Sequence, residues 1–133
     1  MIFDAARLRH LAMSYTAAWC SQEPARVAAC YSPHGSLRVN DGAPAVGRDA
    51  IAEVAQGFMT AFPDTKVQMD DLCIEPGRTV YHWTLTGTNT GPAGAGRPVR
   101  ISGFEIWQMG DDGLISQSEG RFDAEDFRRQ LIG

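Results

Sequence analysis

The spacing of apolar residues changes at Lys66, and this change constrains the fold more than any other feature of the sequence. Before Lys66, apolar residues recur at intervals of three and four, which is typical of amphipathic helices. From Lys66 onwards they recur at every second position, which is typical of strands with one buried face. The sequence therefore predicts an α+β fold, with helices segregated from a run of strands.

Three helices are predicted before this change. The first begins after Asp4, whose side chain can cap it. The second is shorter, begins at Pro24 and is predicted to continue to Tyr31. A short strand over residues 36–40 and a Gly-containing loop precede the third helix. Its apolar stripe consists of Ile51, Val54, Phe58 and Phe62.

Four long strands are predicted after Lys66, followed by a closing helix over "AEDFRRQLI". The segments "EPGR", "GPAGAGRP" and "GDDG" separate the strands, which predicts an antiparallel meander. The apolar positions change phase between Met69 and Leu72, and this predicts a β-bulge near Asp70 and Asp71.

The strand "YHWTLTGT" has two different faces. Its larger apolar side chains alternate with polar ones, so Tyr81, Trp83 and Leu85 are predicted to face the helices. The opposite face is either solvated or a dimer contact. A broad sheet face suits a two-fold interface, so we expect a homodimer. The residues of this face are His82, Thr84, Thr86 and Thr88.

Composition excludes several classes of function. The 133 residues suit one domain over 1–133, and the formal charge of −4 without a Lys/Arg cluster argues against nucleic-acid and anionic-membrane partners. There is no apolar run of membrane-spanning length and no signal-peptide pattern, and three cysteines without a CxxC motif suggest reduced thiols in a cytoplasm. The three histidines are scattered, so local spacing predicts no metal site.

Several segments carry a resemblance to a known family. They are "YTAAW", "GRDAI", "AFPDTKV", "WTLTGTNTGP", "GRPVRISGFEIWQ" and "FRRQLIG", and they extend nearly from end to end. In this order and spacing, they make the chain resemble the nuclear-transport-factor-2-like superfamily and, within it, the SnoaL-like polyketide cyclases. The resemblance implies a cone, in which a curved antiparallel sheet wraps around the N-terminal helices and encloses a pocket.

Two glutamates are candidates for chemistry. Glu105 is the only charged residue on the more apolar face of its strand, so it should be paired or protonated. It is either a functional carboxyl or a structural partner of an arginine such as Arg121. Glu119 lies on the next strand, where it either points inward or is a solvated edge residue. Cyclases that the chain resembles use an acidic residue on the last strand, usually Asp, as acid/base; Glu119 lies near that place.

A similarity to ketosteroid isomerases suggests roles for three residues. Tyr15, Asp41 and Glu105 each match a position that those enzymes use, as phenol donor, general base and protonated-acid donor respectively. Each also has an ordinary structural interpretation, with Tyr15 as a core tyrosine and Asp41 as a turn residue before Gly42. If the resemblance holds for function, the three side chains should converge on one cavity.

The predicted pocket favours a flat, apolar ligand, although ordinary core packing explains the same residues. Its candidate lining residues are Trp19, Phe58, Met59, Phe62, Trp83 and Trp107. The leading hypothesis is an enzyme that needs no cofactor and transfers a proton on an apolar carbonyl compound, as a cyclase or isomerase. The alternatives are a non-catalytic dimer that binds a hydrophobic ligand, and a structural dimer with a vestigial pocket.

Overall fold

A computed structural model describes residues 4–132 and confirms the α+β fold. Within these residues, four helices and five strands form in the order predicted, and a sixth strand of two residues precedes the third helix. The elements are α1 (Ala5–Trp19), α2 (Pro24–Ala28), β1 (Tyr31–Val39), β2 (Ala45–Val46), α3 (Arg48–Ala61), β3 (Lys66–Glu75), β4 (Arg78–Thr88), β5 (Pro98–Met109), β6 (Ile115–Phe122) and α4 (Ala124–Ile132). Within the described part of the chain, none of the helices is long and apolar enough to cross a membrane.

The six strands form one curved sheet in the order β2-β1-β6-β5-β4-β3. The prediction of a purely antiparallel sheet is wrong in one place, because β1 lies parallel to β6. A parallel neighbour needs a long connection, and the chain supplies one because α3 and the whole meander separate these two strands. The pairing joins the N-terminal half of the chain to the last strand of the meander.

The first helix begins as predicted, since Asp4 Oδ1 accepts hydrogen bonds from the backbone N–H groups of Ala6 and Arg7. The second helix is shorter than predicted and ends at Ala28. Tyr31 instead opens β1, where it pairs with Ile115 of β6 and its ring is fully buried. Its helical spacing was misleading because long-range pairing and packing override weak local preferences.

The predicted bulge in β3 is confirmed. Met69 lies opposite Trp83 while Asp71 lies opposite His82, so Asp70 is the additional residue. A bulge of this kind increases the local twist and bends the strand. Because of this additional residue, Leu72 lies on the same inner face of the sheet as Met69, although three positions separate them.

The inner face of the sheet packs against the helices. On β4, Tyr81 and Leu85 are buried and Trp83 is half-buried, as the alternation predicts. On the outer face, Thr84 is nearly as buried as these residues because its hydroxyl contacts Asp70 and Ser102. The inner face therefore determines where a pocket can form.

Candidate functional site

A cavity opens between the inner face of the sheet and the helices α1 and α3. The empty space between these elements amounts to about 540 Å³, a figure that includes open solvent at the mouth. Glu105 is the only ionisable carboxyl or cation among its lining residues, which are otherwise mainly aliphatic and aromatic. These residues are Trp19, Leu37, Val39, Val54, Phe58, Val67, Tyr81, Trp83, Leu85, Glu105, Gly120 and Phe122.

The Glu105 carboxyl is held by donors from three elements. Its Oε1 atom accepts hydrogen bonds from Ser118 Oγ at 2.7 Å, Trp107 Nε1 at 2.9 Å and the Tyr15 hydroxyl at 2.9 Å. Its Oε2 atom lies 3.1 Å from the same Tyr15 hydroxyl and has no other protein donor within the described residues. Oε1 is therefore saturated, whereas Oε2 retains capacity for a proton or a ligand.

Strand register explains this convergence. Glu105 and Trp107 are two residues apart on β5, so both point to the inner face. Ser118 lies directly opposite Trp107 on β6 and points the same way. Tyr15 comes from the buried face of α1, and its hydroxyl is also 2.9 Å from the Tyr31 hydroxyl. Two tyrosines thus form a chain of hydroxyls that ends at Glu105.

Burial raises the pKa of Glu105, and the hydrogen bonds from Ser118, Trp107 and Tyr15 act in the opposite direction. Burial, together with the charge of Glu105, also raises the pKa values of Tyr15 and Tyr31 well above that of a free phenol. Both tyrosines consequently stay neutral and can donate hydrogen bonds at physiological pH. Glu105 is the carboxyl of this network, and its pKa is raised by burial among these neutral donors.

Asp41 does not join the cavity, so the predicted convergence of Tyr15, Asp41 and Glu105 is wrong for this residue. Its side chain is 84% exposed and lies 2.9 Å from Arg121 Nη1 and 3.9 Å from Arg38. Arg121 precedes the inward-facing Phe122 on β6 and therefore points outward. The outer ion pair holds Asp41 away from the pocket, and it also removes Arg121 as a partner for Glu105.

Glu119 faces away from the cavity as well. Gly120 is the residue that lies opposite Glu105, and Glu119 pairs with Ile106 on the outer face. Its carboxylate is about one-third exposed and lies 4.0 Å from Arg38 Nε. Of the two alternatives for Glu119, the structure therefore supports the edge residue and not the inward acid, and the inward polar residue at this end of β6 is Ser118.

Three of the six predicted lining residues contact the cavity, namely Trp19, Phe58 and Trp83. The other three are core residues. Met59 is buried on the face of α3 that packs into the core, and Phe62 belongs to a second cluster with Leu85, Val99 and Ile101. Trp107 is fully buried and stacks on Tyr81, with the ring centroids 4.9 Å apart. It contacts the site through its hydrogen bond to Glu105.

Sequence reasoning missed Tyr31 and Ser118. The spacing of Tyr31 predicts a helix, and a helical Tyr31 gives no indication of its contact with Tyr15. Ser118 carries a signal, since it alternates with Gly120 and Phe122 on the inner face of β6. This alternation identifies Ser118 as an inward residue only when the register across the "GDDG" turn is known.

Gly103 is required by the close approach of Trp83. A Cβ atom there would overlap the Arg121 carbonyl oxygen and lie 2.7 Å from Trp83 Cζ2. We expect Gly103→Ala to lower the free energy of unfolding by about 1–3 kcal/mol, since overpacking forces the neighbours to move. Urea unfolding measures this change.

The control for this prediction is Gly57→Ala on the exposed surface of α3, where a Cβ atom meets nothing within 4 Å. We expect it to raise the free energy of unfolding by about 1 kcal/mol, because alanine favours the helix over glycine. Equal effects of the two substitutions would show that Gly103 is not sterically constrained.

Among the described residues, no group of three or more His, Cys, Asp or Glu side chains is placed to hold a metal ion. The arrangement at the cavity is instead one titratable carboxyl, fixed by neutral donors and surrounded by apolar walls. Such an environment can accept a proton from a bound molecule and return it.

Comparisons with known proteins agree with this fold. The family model for SnoaL-like polyketide cyclases matches residues 9–131. A search of curated proteins found no match. Among solved structures, TsrD from Streptomyces laurentii is 24% identical, with a TM-score of 0.85 and 98% of each chain covered.

Two further structures show the same fold at lower identity. A protein with a ketosteroid isomerase-like fold from Catenulispora acidiphila, solved with trimethylamine, is 13% identical over 92% of each chain, with a TM-score of 0.80. An NTF2-like protein of unknown function from Burkholderia pseudomallei is 16% identical, with a TM-score of 0.81, over 96% of this chain and 98% of that one.

Proposed function

The chain belongs to the SnoaL-like polyketide cyclase family, and on that premise we propose that it is an enzyme that transfers a proton on an apolar carbonyl compound without a cofactor. Glu105 is the proposed acid/base. The observation that supports this proposal is a single carboxyl with a raised pKa that lines an otherwise largely apolar cavity. Carboxyls of this kind are frequent at catalytic sites.

In the proposed reaction, ionised Glu105 removes a proton from the carbon next to a carbonyl. The C–H electron pair becomes the C=C bond of an enolate, the carbonyl π electrons move to oxygen, and the proton resides on Glu105 Oε2. This proton, or one that has replaced it on the carboxyl by exchange with solvent, then returns to carbon at the old or a new position. Alternatively, the enolate carbon attacks a second carbonyl of the substrate, and the alkoxide that results takes the proton from Glu105. These steps cover isomerase and cyclase reactions and restore the carboxylate.

The roles of the other predicted residues change accordingly. Asp41 lies on the outer surface, so the base function moves to Glu105. Tyr15 contacts Glu105 and does not line the cavity. We therefore assign Tyr15, with Trp107 and Ser118, as positioning residues that orient the carboxyl and keep its pKa from rising further.

The proposal is tested by hydrogen exchange on a simple ketone. The protein is incubated in D₂O with 2-acetonaphthone, an aromatic methyl ketone, and loss of the methyl proton signal is followed by NMR. We expect exchange above the buffer rate for the wild-type protein and none for Glu105→Gln. Binding of the ketone without exchange in the wild-type protein would instead support a non-catalytic binding protein.

We also propose a homodimer through the outer sheet face around His82, Thr84, Thr86 and Thr88. Half-buried His82 lies beside half-buried Phe104, with ring centroids 6.1 Å apart, and this gives the face an apolar centre. Sedimentation velocity at micromolar concentration should show a dimer. Thr86→Arg should yield a monomer because it adds a third positive charge beside Lys66 and Arg100, which lie opposite Thr86 on the neighbouring strands. Gln56→Arg, on α3, is the control, and a wild-type monomer would refute the proposal.

A further inference from the structure

The indole of Trp83 is an unexplained polar group at the cavity. The side chain lines the cavity, and its Nε1 atom is buried without a hydrogen-bond partner among the described residues. Trp107 differs in this respect, since its Nε1–H donates to Glu105. An indole N–H can only donate, so Trp83 requires an acceptor.

An unsatisfied buried donor is costly. Leaving such a group without a partner destabilises a protein by about 1–3 kcal/mol, and most buried polar groups are therefore paired. Phenylalanine would fill similar space at this position without that penalty. Because the Trp83 side chain lines the cavity, a ligand bound there is the available source of the missing acceptor.

Strand pairing fixes the position of Trp83 relative to Glu105. Trp83 lies opposite Gly103, and Glu105 is two residues further along the same strand on the same face. Such diagonal neighbours have Cβ atoms about 7–8 Å apart or somewhat less. Gly103 has no side chain, which lets the indole lie across β5 towards Phe122 of β6, and Trp83, Phe122 and Glu105 all line the same cavity. One small molecule can therefore contact both residues.

We propose that Trp83 Nε1–H donates to the carbonyl oxygen of the substrate while Glu105 exchanges a proton with the adjacent carbon. This inference rests on the proposed function and specifies its substrate as a flat, conjugated ketone with an acidic C–H next to the carbonyl. A donor aimed at that oxygen stabilises the charge that develops when the proton leaves. The substrate is inferred to be flat because three aromatic side chains, Trp19, Phe58 and Phe122, line the cavity.

The test compares two probes of almost the same shape. 2-Acetonaphthone carries a carbonyl oxygen, and 2-isopropenylnaphthalene replaces that oxygen with a CH₂ group. Calorimetry measures the dissociation constants of both for the wild-type protein, Trp83→Phe and Trp19→Phe. Trp19 is the matched control because it lines the same cavity and the substitution removes the same atoms.

We expect Trp83→Phe to weaken ketone binding by on the order of tenfold while hydrocarbon binding changes by less than about twofold. Trp19→Phe should weaken both probes by the same factor. The inference is overturned if Trp83→Phe affects both probes equally or neither, or if the wild-type protein does not prefer the ketone.

A second measurement does not depend on the folding of a variant. In the wild-type protein, the indole ¹⁵N–¹H resonance of Trp83, identified by its contacts with the Phe122 ring, should move downfield with the ketone and not with the hydrocarbon. The exchange experiment on Glu105→Gln is independent of this result. Absence of a ketone preference in the wild-type protein refutes the role of Trp83, whereas exchange that persists in Glu105→Gln refutes the proposed function.

Discussion

Glu105→Gln is expected to lower the rate of deuterium exchange into 2-acetonaphthone by about 100- to 10,000-fold, the range usual for loss of a general base. The amide keeps the shape of the carboxyl, and its oxygen can still accept from Trp107 or Ser118. It cannot take up a proton near neutral pH. Binding of the ketone should therefore persist while exchange is lost.

Asp41→Asn is the matched control, since it is also a carboxylate-to-amide change. Asp41 is exposed and bonded to Arg121, and exposed ion pairs contribute only about 0–1 kcal/mol to stability. We expect its exchange rate to equal that of the wild-type protein. If Asp41→Asn loses exchange and Glu105→Gln does not, the assignment of the base to Glu105 is wrong.

The contrast between these two acids shows what the sequence can predict about the site. Glu105 was identifiable because a lone carboxylate on an apolar strand face is energetically anomalous, and that anomaly depends only on alternation along one strand. Asp41 lies in a turn, where alternation carries no information. In the structure it is exposed and lies beside Arg121, which is distant in sequence and comes close only when β1 pairs with β6.

The fold was likewise predictable where the signal is local and not where it depends on contacts between distant segments. The strands β3 to β6 and the helix α4 were predictable because each has a regular period and a turn signal at its end. The parallel pairing of β1 with β6 was not, since no local pattern encodes a contact between the two halves of the chain. Tyr31 illustrates the consequence, because its spacing suits a helix while its buried ring and its pairing with Ile115 place it in a strand.

The lining of the cavity was only half predictable. Phe58 and Met59 are adjacent on α3, yet one faces the cavity and the other the core. Apolar composition does not distinguish these environments, since both exclude water. Adjacent positions on a helix point in different directions, and only the packed structure shows which direction opens on the cavity.

Tyr15→Phe is expected to move the pH dependence of exchange to higher pH. The Tyr15 hydroxyl donates to both oxygens of Glu105, and this bond lowers the pKa of the carboxyl. Without it, Glu105 holds its proton to a higher pH. Because the proposed base is the ionised form, the rate should rise with pH and level off above the pKa of Glu105, with a higher midpoint in the variant.

The control for this prediction is Tyr81→Phe, which also removes a buried phenol hydroxyl. That hydroxyl contacts Thr16 and makes no bond to Glu105. The midpoint in Tyr81→Phe should therefore stay close to the wild-type value. A purely structural role for Tyr15 would lower the rate at every pH by the same factor, without moving the midpoint.

The free energy of unfolding provides a second measure of the hydrogen bonds that the Tyr15 hydroxyl makes. Tyr15→Phe removes the partner of the buried Tyr31 hydroxyl, which should lower the free energy of unfolding by about 1–3 kcal/mol. The loss should also depend on pH. Because the folded-state pKa of Glu105 is raised, its contribution is complete below the pKa of Glu in the unfolded chain and declines as the pH rises through the folded value.

Tyr15→Phe should raise the pKa of Glu105 in the folded protein further. The stability contribution of Glu105 should therefore continue to decline up to a higher pH than in the wild-type protein. The difference in unfolding free energy between the two proteins should therefore be larger at neutral pH than at acidic pH, as measured by urea unfolding. The corresponding difference for Tyr81→Phe should depend much less on pH, because the hydroxyl it removes makes no bond to Glu105. A pH-independent difference for Tyr15→Phe would show that its hydroxyl does not control the ionisation of Glu105.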